Sequence, residues 1–287
     1  AGATSFACGI KTFNGAIGVD MSKKPVENIV ELLSKKNYQT GLIATSSITH
    51  ATPASFYVHV VSRDWEEEIA DQMATSPIDF FAGGGLKFFQ NRKDGKNILD
   101  LLENNGFDIH TDVIDQKIDS SKRHGFLLGQ EEMLKMIEGR GNFLEKSTQK
   151  ALSYFEDNRA PFFLMVEGSQ IDWAGHDNEA NYLITELLDF DDMVGSVLDY
   201  AEKEGNTLVI VTADHETGGF TLSGKVTGQN SEGEDEHNYN FIVPTFATTG
   251  HSATLIPVLA FGPQASLFSG FYQNTDIYHK IRKALAQ

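Results

Sequence analysis

The sequence predicts an α/β protein built on a mostly parallel sheet. Short apolar runs recur along its 287 residues, and amphipathic stretches with helical spacing separate them. That alternation is the pattern of parallel strands covered by helices. The runs are also apolar throughout rather than alternating, as strands buried on both faces are. Five of them are predicted as such strands: "TGLIATS" (Thr40–Ser46), "DFFAGG" (Asp79–Gly84), "FFLMVEG" (Phe162–Gly168), "TLVIVTADH" (Thr207–His215) and "PVLAFG" (Pro257–Gly262).

The helices follow from spacing and end signals. "PVENIVELLSKK" (Pro25–Lys36) has Pro in its first turn and Lys at its end. "EEMLKMIEG" (131–139) and "STQKALSYFEDN" (147–158) read as further helices. The longest is expected over Asn178–Glu204, with Leu183, Leu187, Phe190, Val194 and Leu198 at helical spacing, and "NTDIYHKIRKALA" (274–286) closes the chain. The polar, Gly-rich, acidic segment 223–240 reads as a surface loop or insertion, and 91–113 as a peripheral excursion. No internal repeat is visible, and one domain over 1–287 is expected.

Composition bounds the function. Apolar content of 40% with 10% aromatics fits a chain with a real core. With 40 acidic against 23 basic residues the net charge is −17, which argues against nucleic acid as a partner, since phosphate backbones demand Lys and Arg. A small anionic substrate is still compatible, because bound cations can dominate a site locally. Cys8 is the single cysteine, so neither an intrachain disulfide nor a four-cysteine zinc site can form. No apolar stretch approaches a membrane span, and the opening "AGATSFACGI" is not a signal peptide.

Ligands of open parallel sheets bind beyond the carboxyl ends of the strands, so polar groups placed there carry weight. His50 and Thr52 follow one strand; Glu167, Asp172 and His176 follow another; Asp214 and His215 follow a third; His251 precedes a fourth. Asp172 and His176 form D-x-x-x-H, an i, i+4 pair that can face one metal on a helix, and imidazole with carboxylate suits zinc. Taken singly each has a bland reading. D-x-x-x-H is commonly a solvated helix face, Asp214-His215 can cap a helix, His50 and His251 can be hydrogen-bonded structural histidines, and Glu167 can pair with a lysine. Their shared position at strand ends is what favours a site. Arg63, in "FYVHVVSRDW", reads from spacing alone as an ion-pair partner of Glu66 or Glu67. The alternative is a bidentate phosphate clamp.

At these residues the sequence resembles the alkaline phosphatases. "ACGIKTFNGAIGVD", "THATPASF", "VEGSQIDWAGH" and "VTADHETGG" match that family's motifs in order, and the likeness runs to about Gly262 without the polar insertion. The resemblance implies a doubly wound α/β core with helices on both faces. It implies two zincs and one magnesium at the strand ends, and a serine nucleophile that forms a phosphoseryl intermediate. Carried over by motif, Asp172, His176 and His251 are implied as ligands of the first zinc and Asp214 and His215 of the second. Thr52 and Glu167 are implied for magnesium, with His50 near it. Arg63 is then implied as the phosphate-binding arginine, reversing the reading from spacing, and Trp173 as a pocket wall. Small phosphomonoesters are the implied substrates, homodimers are common in the family, and export to the periplasm or outside is implied by family alone.

One departure matters. The family's D-S-A motif, whose serine is the nucleophile, comes just before "AGAT", and this sequence starts at that "AGAT". An earlier carboxylate that bridges magnesium and the second zinc is missing too. The expectation is a chain truncated after the nucleophile motif and lacking the first core strand, with weak or partial metal binding, poor or no turnover, and exposed apolar edge surface that favours self-association. Ser5, the nearest serine, is expected to be a core-facing helix residue. Two readings compete: a metal- or phosphate-binding module without catalysis, and a related phosphodiesterase or sulfatase.

Overall fold

The computed structural model describes residues 1–90 and 92–286; position 91, where the peripheral excursion was expected to begin, lies outside the described residues. The chain opens with α1 (Gly2–Cys8), which buries Ala3, Thr4, Ser5, Ala7 and Cys8. α2 (Ile29–Ser34) is shorter than the helix predicted over Pro25–Lys36. Its start is fixed by Asn28, whose side chain accepts from the Glu31 amide while the Glu31 carboxylate accepts from the Asn28 amide. That reciprocal cap sets the first turn beyond Pro25, which bridges to Val19 instead.

β1 (Gln39–Ser47) is followed by α3 (Ala51–Ala54), α4 (Glu66–Met73), β2 (Phe80–Gly84), α5 (Leu86–Gln90) and α6 (Ile98–Asn104). β3 (Phe107–His110) and β4 (Arg123–Leu127) come next. The helix predicted over 131–139 is only a 3₁₀ turn at Met136–Glu138. Its amides serve distant acceptors: Met133 donates to the Thr45 carbonyl at 3.1 Å and Met136 to the Glu186 carboxylate at 2.8 Å. α7 (Phe143–Asn158), β5 (Phe162–Glu167), α8 (Gln170–Asp177) and α9 (Ala180–Glu204) follow, with a left-handed Asn178 breaking α8 from α9.

The main sheet is wholly parallel, in the order β3-β4-β2-β1-β5. Successive strand residues face opposite sides, and both sides are covered. Leu42 and Phe81 pack into one cluster with α2, α4 and α5, whereas Ile43 and Phe80 join Tyr154, Phe155 and Met193 of α7 and α9 in another. This two-faced burial explains the uninterrupted apolar runs.

β6 (Val209–Val211), β7 (Glu216–Thr217), β8 (Thr221–Gln229), β9 (Asp235–Thr245), β10 (His251–Ser252), β11 (Leu259–Phe261) and α10 (Thr275–Ala284) complete the chain. Here two expected parallel strands differ. β6 and β11 pair with each other, antiparallel, in a ladder of their own. A parallel neighbour is reached by a crossover, usually a helix, and the chain between β6 and β11 holds only short strands and a hairpin. That hairpin is β8–β9: the polar segment 223–240, expected as a surface loop or insertion, lies in a long, exposed ribbon turned at Asn230, whose side chain accepts from the Glu232 and Glu234 amides. β5, at the sheet margin, is only half-buried despite its apolar run, and Leu259 and Phe261 of β11 are exposed.

Candidate active site

The carboxyl ends of β1 and β5 are adjacent, with Ala44 in register with Glu167. Beyond β1, His50 precedes α3 as its N-cap. Beyond β5, α8 is anchored by Gln170. This fully buried side chain donates to the carbonyls of Thr45 (3.1 Å) and Met133 (2.7 Å) and accepts from the Tyr182 hydroxyl (2.9 Å). The anchor fixes the helix that presents Asp172 and His176. α8 then meets β7 closely at Gly175, where a β-carbon would lie 2.8 Å from the Thr217 carbonyl oxygen; a larger residue would hold the helix off. β7 in turn pairs with β10, setting His251 opposite Thr217.

Asp172, His176 and His251 thereby converge from two distant segments, with one ligand atom of each within 4.8 Å of the others. Asp172 Oδ1 is 3.5 Å from His176 Nε2 and 3.6 Å from His251 Nε2, and the two Nε2 atoms are 3.1 Å apart. His176 Nδ1 lies 2.6 Å from the Thr249 carbonyl. Only a protonated Nδ1 can make that bond, so in the neutral ring Nε2 carries a bare lone pair. This is the orientation that metal-bound histidines take from an outer hydrogen bond. Two nitrogens on one tetrahedral zinc stand about 3.3 Å apart, so this donor set would suit a zinc-type ion. Burial, together with the neighbouring His215 and His176, depresses the pKa of His251, against the pull of Asp172.

Asp214 and His215 lie beside this cluster. Their Oδ2 and Nε2 atoms are 3.5 Å apart, and the His215 ring stacks on His251 with centroids 3.6 Å apart. Ser5 is buried within α1 and donates to the Ala1 carbonyl. Glu167 is half-buried. Burial raises its pKa to about 7, opposed by hydrogen bonds from Ser169 and Thr52 and reinforced by Asp214 and Asp172. Thr52 and Glu167 are thus together, and both are oxygen donors of the kind magnesium takes. His50 touches Arg63, Nη2 to Nε2 at 2.6 Å, and presents its ring edge-on to Trp173, centroids 5.6 Å apart. Burial first and Arg63 second hold its pKa down to about 4. Arg63 itself is exposed and pairs with neither Glu66 nor Glu67 among the described residues.

Several contributors were not singled out from sequence. Thr217 donates to Asp172 Oδ1 and lies 3.2 Å from His215 Nδ1. Ser169 joins Glu167 to Ser46, and Ser252 donates to Glu216. Thr217 ends β7, which starts one residue after His215. The Thr249 carbonyl, a backbone group, left no mark in the sequence.

A profile of the alkaline phosphatases matches residues 1–249. The chain belongs to the alkaline phosphatase family. Alkaline phosphatase 4 of Bacillus subtilis is 37% identical over 230 residues, which cover 77% of this chain and 50% of that protein. Alkaline phosphatase 3 of the same organism is 31% identical over 353 aligned positions, covering 99% of this chain and 76% of the relative. The chain therefore spans about half the length of the first relative and about three quarters of the second. The solved alkaline phosphatase of the Antarctic bacterium TAB5 superposes with a TM-score of 0.92 at 52% identity, covering 99% of this chain and 83% of that one. A mutant of the TAB5 enzyme, solved with Mg bound in its M3 site, superposes with a TM-score of 0.93. The doubly wound core drawn from the motifs is the fold observed. Among the described residues no helix is long and apolar enough to cross a membrane.

Proposed function

We propose that this chain is a metal-assisted phosphomonoester hydrolase of the alkaline phosphatase type. The observation that carries the proposal is the meeting of Asp172, His176 and His251, with the His176 tautomer held by the Thr249 carbonyl. In this reading those three residues hold the first zinc and Asp214 and His215 hold the second. Thr52 and Glu167 hold magnesium, with His50 beside it. When bound, two zincs supply Lewis-acid stabilisation to the attacking and leaving oxygens of an in-line displacement.

The chain's own side chains do the remaining work. Arg63 offers a planar fork of donors to two non-bridging phosphate oxygens, and its contact with neutral His50 is the one it exchanges for substrate. Phosphoryl transfer spreads charge over the equatorial oxygens, so a fixed guanidinium there stabilises the transition state directly. Trp173, edge-on to His50, walls the approach. Thr217 and Ser169 position Asp172 and Glu167 through their hydroxyls. Small phosphomonoesters, a homodimeric assembly and a location outside the cytoplasm belong to the same proposal and rest on family resemblance.

The 287 residues contain no D-S-A serine, and the Ser5 hydroxyl is spent on a backbone carbonyl. We therefore expect the 287-residue polypeptide by itself to bind zinc at the first site and to turn over phosphomonoesters poorly or not at all. The test is elemental analysis of the purified chain and of His251→Ala, with aryl phosphate turnover measured alongside. About one zinc per chain more in the parent than in His251→Ala supports the metal centre. Equal zinc content in the two proteins overturns it, and brisk turnover abolished by EDTA overturns the expectation of poor activity.

A further inference from the structure

We propose that Asp108, His110 and His124 form a separate zinc-type metal site at the β3–β4 margin of the sheet, away from the β1 and β5 ends that feed the candidate active site. β3 and β4 run parallel with Asp108 in register with His124 and His110 in register with Phe126. Side chains alternate along a strand, so Asp108, His110 and His124 share one face of the sheet. That face is the one covered by α7, whose Tyr154 meets the His124 ring edge-on, centroids 5.8 Å apart. One ligand atom from each of the three residues lies within 4.8 Å of the others. His124 is fully buried, His110 nearly so, and Asp108 half-buried.

The hydrogen bonding of the two rings points to a cation. His110 Nδ1 lies 2.8 Å from Gln116 Oε1, and His124 Nε2 lies 2.8 Å from the Asp119 carbonyl. Both partners are oxygen acceptors, so both outer nitrogens carry hydrogen. The inner nitrogens, His110 Nε2 and His124 Nδ1, then turn lone pairs toward one another at 3.3 Å. Facing lone pairs repel unless a positive charge lies between or beside them. Two nitrogens on one tetrahedral zinc stand about 3.3 Å apart, and outer hydrogen bonds to oxygen are what orient metal-bound histidines. Asp108 adds the carboxylate. Two imidazoles and one carboxylate select zinc and its neighbours over magnesium or calcium. The ion would pin the sheet margin to the segment 111–122, which supplies Gln116 and Asp119. The competing occupant is a proton. The rings lie within 19° of parallel with centroids 5.6 Å apart, nearly head-on, so a cation would swing both toward Asp108.

The test is a titration of the ¹⁵N-histidine-labelled chain with zinc chloride, read by long-range ¹H–¹⁵N NMR. The site requires His110 Nε2 and His124 Nδ1 to shift together as zinc is added, in the parent and equally in His251→Ala, where the first active-site zinc is disabled. Asp108→Asn, conservative and half-buried, is expected to weaken this binding at least ~tenfold while melting like the parent. If the two resonances stay fixed in excess zinc, the pair shares a proton and the metal site is refuted. Equal zinc affinity in Asp108→Asn likewise removes Asp108 from it. Neither result depends on whether the candidate active site holds metal.

Discussion

Glu167→Gln separates the electrostatic cost of the candidate site from its fold. Glu167 ends β5 half-buried, and burial raises its carboxyl from 4.5 to about 7. In metal-free protein the folded state therefore holds this proton more tightly than the unfolded chain does. The sign follows: below 4.5 both states are protonated and nothing is lost, stability falls as pH rises from 4.5 to about 7, and the full loss persists above. At ~1.36 kcal/mol per pH unit the displacement corresponds to about 3 kcal/mol, and partial exposure leaves roughly 2 kcal/mol. Glutamine keeps the shape and an oxygen to accept from Ser169 and Thr52, without the charge. In EDTA, Glu167→Gln should be more stable than the parent by roughly 2 kcal/mol at pH 8 and level with it at pH 4. Urea unfolding at both values measures this. With zinc and magnesium added the order should reverse, because a ligand that binds only the folded state stabilises the parent more. Equal stabilities at pH 8 in EDTA, or a less stable variant there, would refute the reasoning.

Three further outcomes are expected. His50 is held neutral down to about 4 by burial and by Arg63, so in metal-free protein its contribution is complete above 6.5 and is lost as pH falls toward 4; Arg63→Ala should move the His50 NMR titration to higher pH, and an unmoved titration would deny the contact. Arg140 pairs with Glu186 at 2.6 Å and Asp189 at 2.8 Å in a buried triad, so Arg140→Leu should cost about 3–5 kcal/mol in urea unfolding, and a loss under ~1 kcal/mol would mean that both carboxylates escape to water. A β-carbon on Gly2 would lie 2.3 Å from Asp214 Oδ2, so Gly2→Ala should displace Asp214 and weaken metal at Asp214 and His215 while sparing the Asp172, His176 and His251 set, which metal content per chain will show.

The legible part of the fold is the part built from strands buried on both faces. β1, β2 and β5 announce themselves because each needs apolar residues at every position. β6 and β11 carry the same composition yet pair antiparallel, since composition encodes burial and not the direction of a partner. The stretch 131–139 has helical spacing, but its amides are taken by Thr45 and Glu186, acceptors from other parts of the chain that spacing cannot foresee. The hairpin β8–β9 was hidden because an exposed ribbon has no apolar face to advertise it. In the site, the ionisable residues could be nominated from their places after strands. The hydroxyls that orient them, and the Thr249 carbonyl, belong to a geometry that appears only when β7 and β10 pair.

The titration behaviour of these residues has a common logic. Glu167 is driven toward its neutral form by burial and by Asp214 and Asp172, while His50 and His251 are driven toward theirs by burial and by neighbouring cations or imidazoles. One acid pushed up and two bases pushed down in one place mean that these three groups resist the charge they would carry there unaided. A packed core seldom tolerates that, because replacing such groups by apolar ones would relieve it. A divalent cation answers the demand from both sides at once: it lowers the acid by attraction and engages the imidazoles in the neutral form they are already held in. Glu167, His50 and His251 are thus costly in their charged forms when alone, and Glu167→Gln with and without metal is the comparison that tests whether a metal relieves that cost.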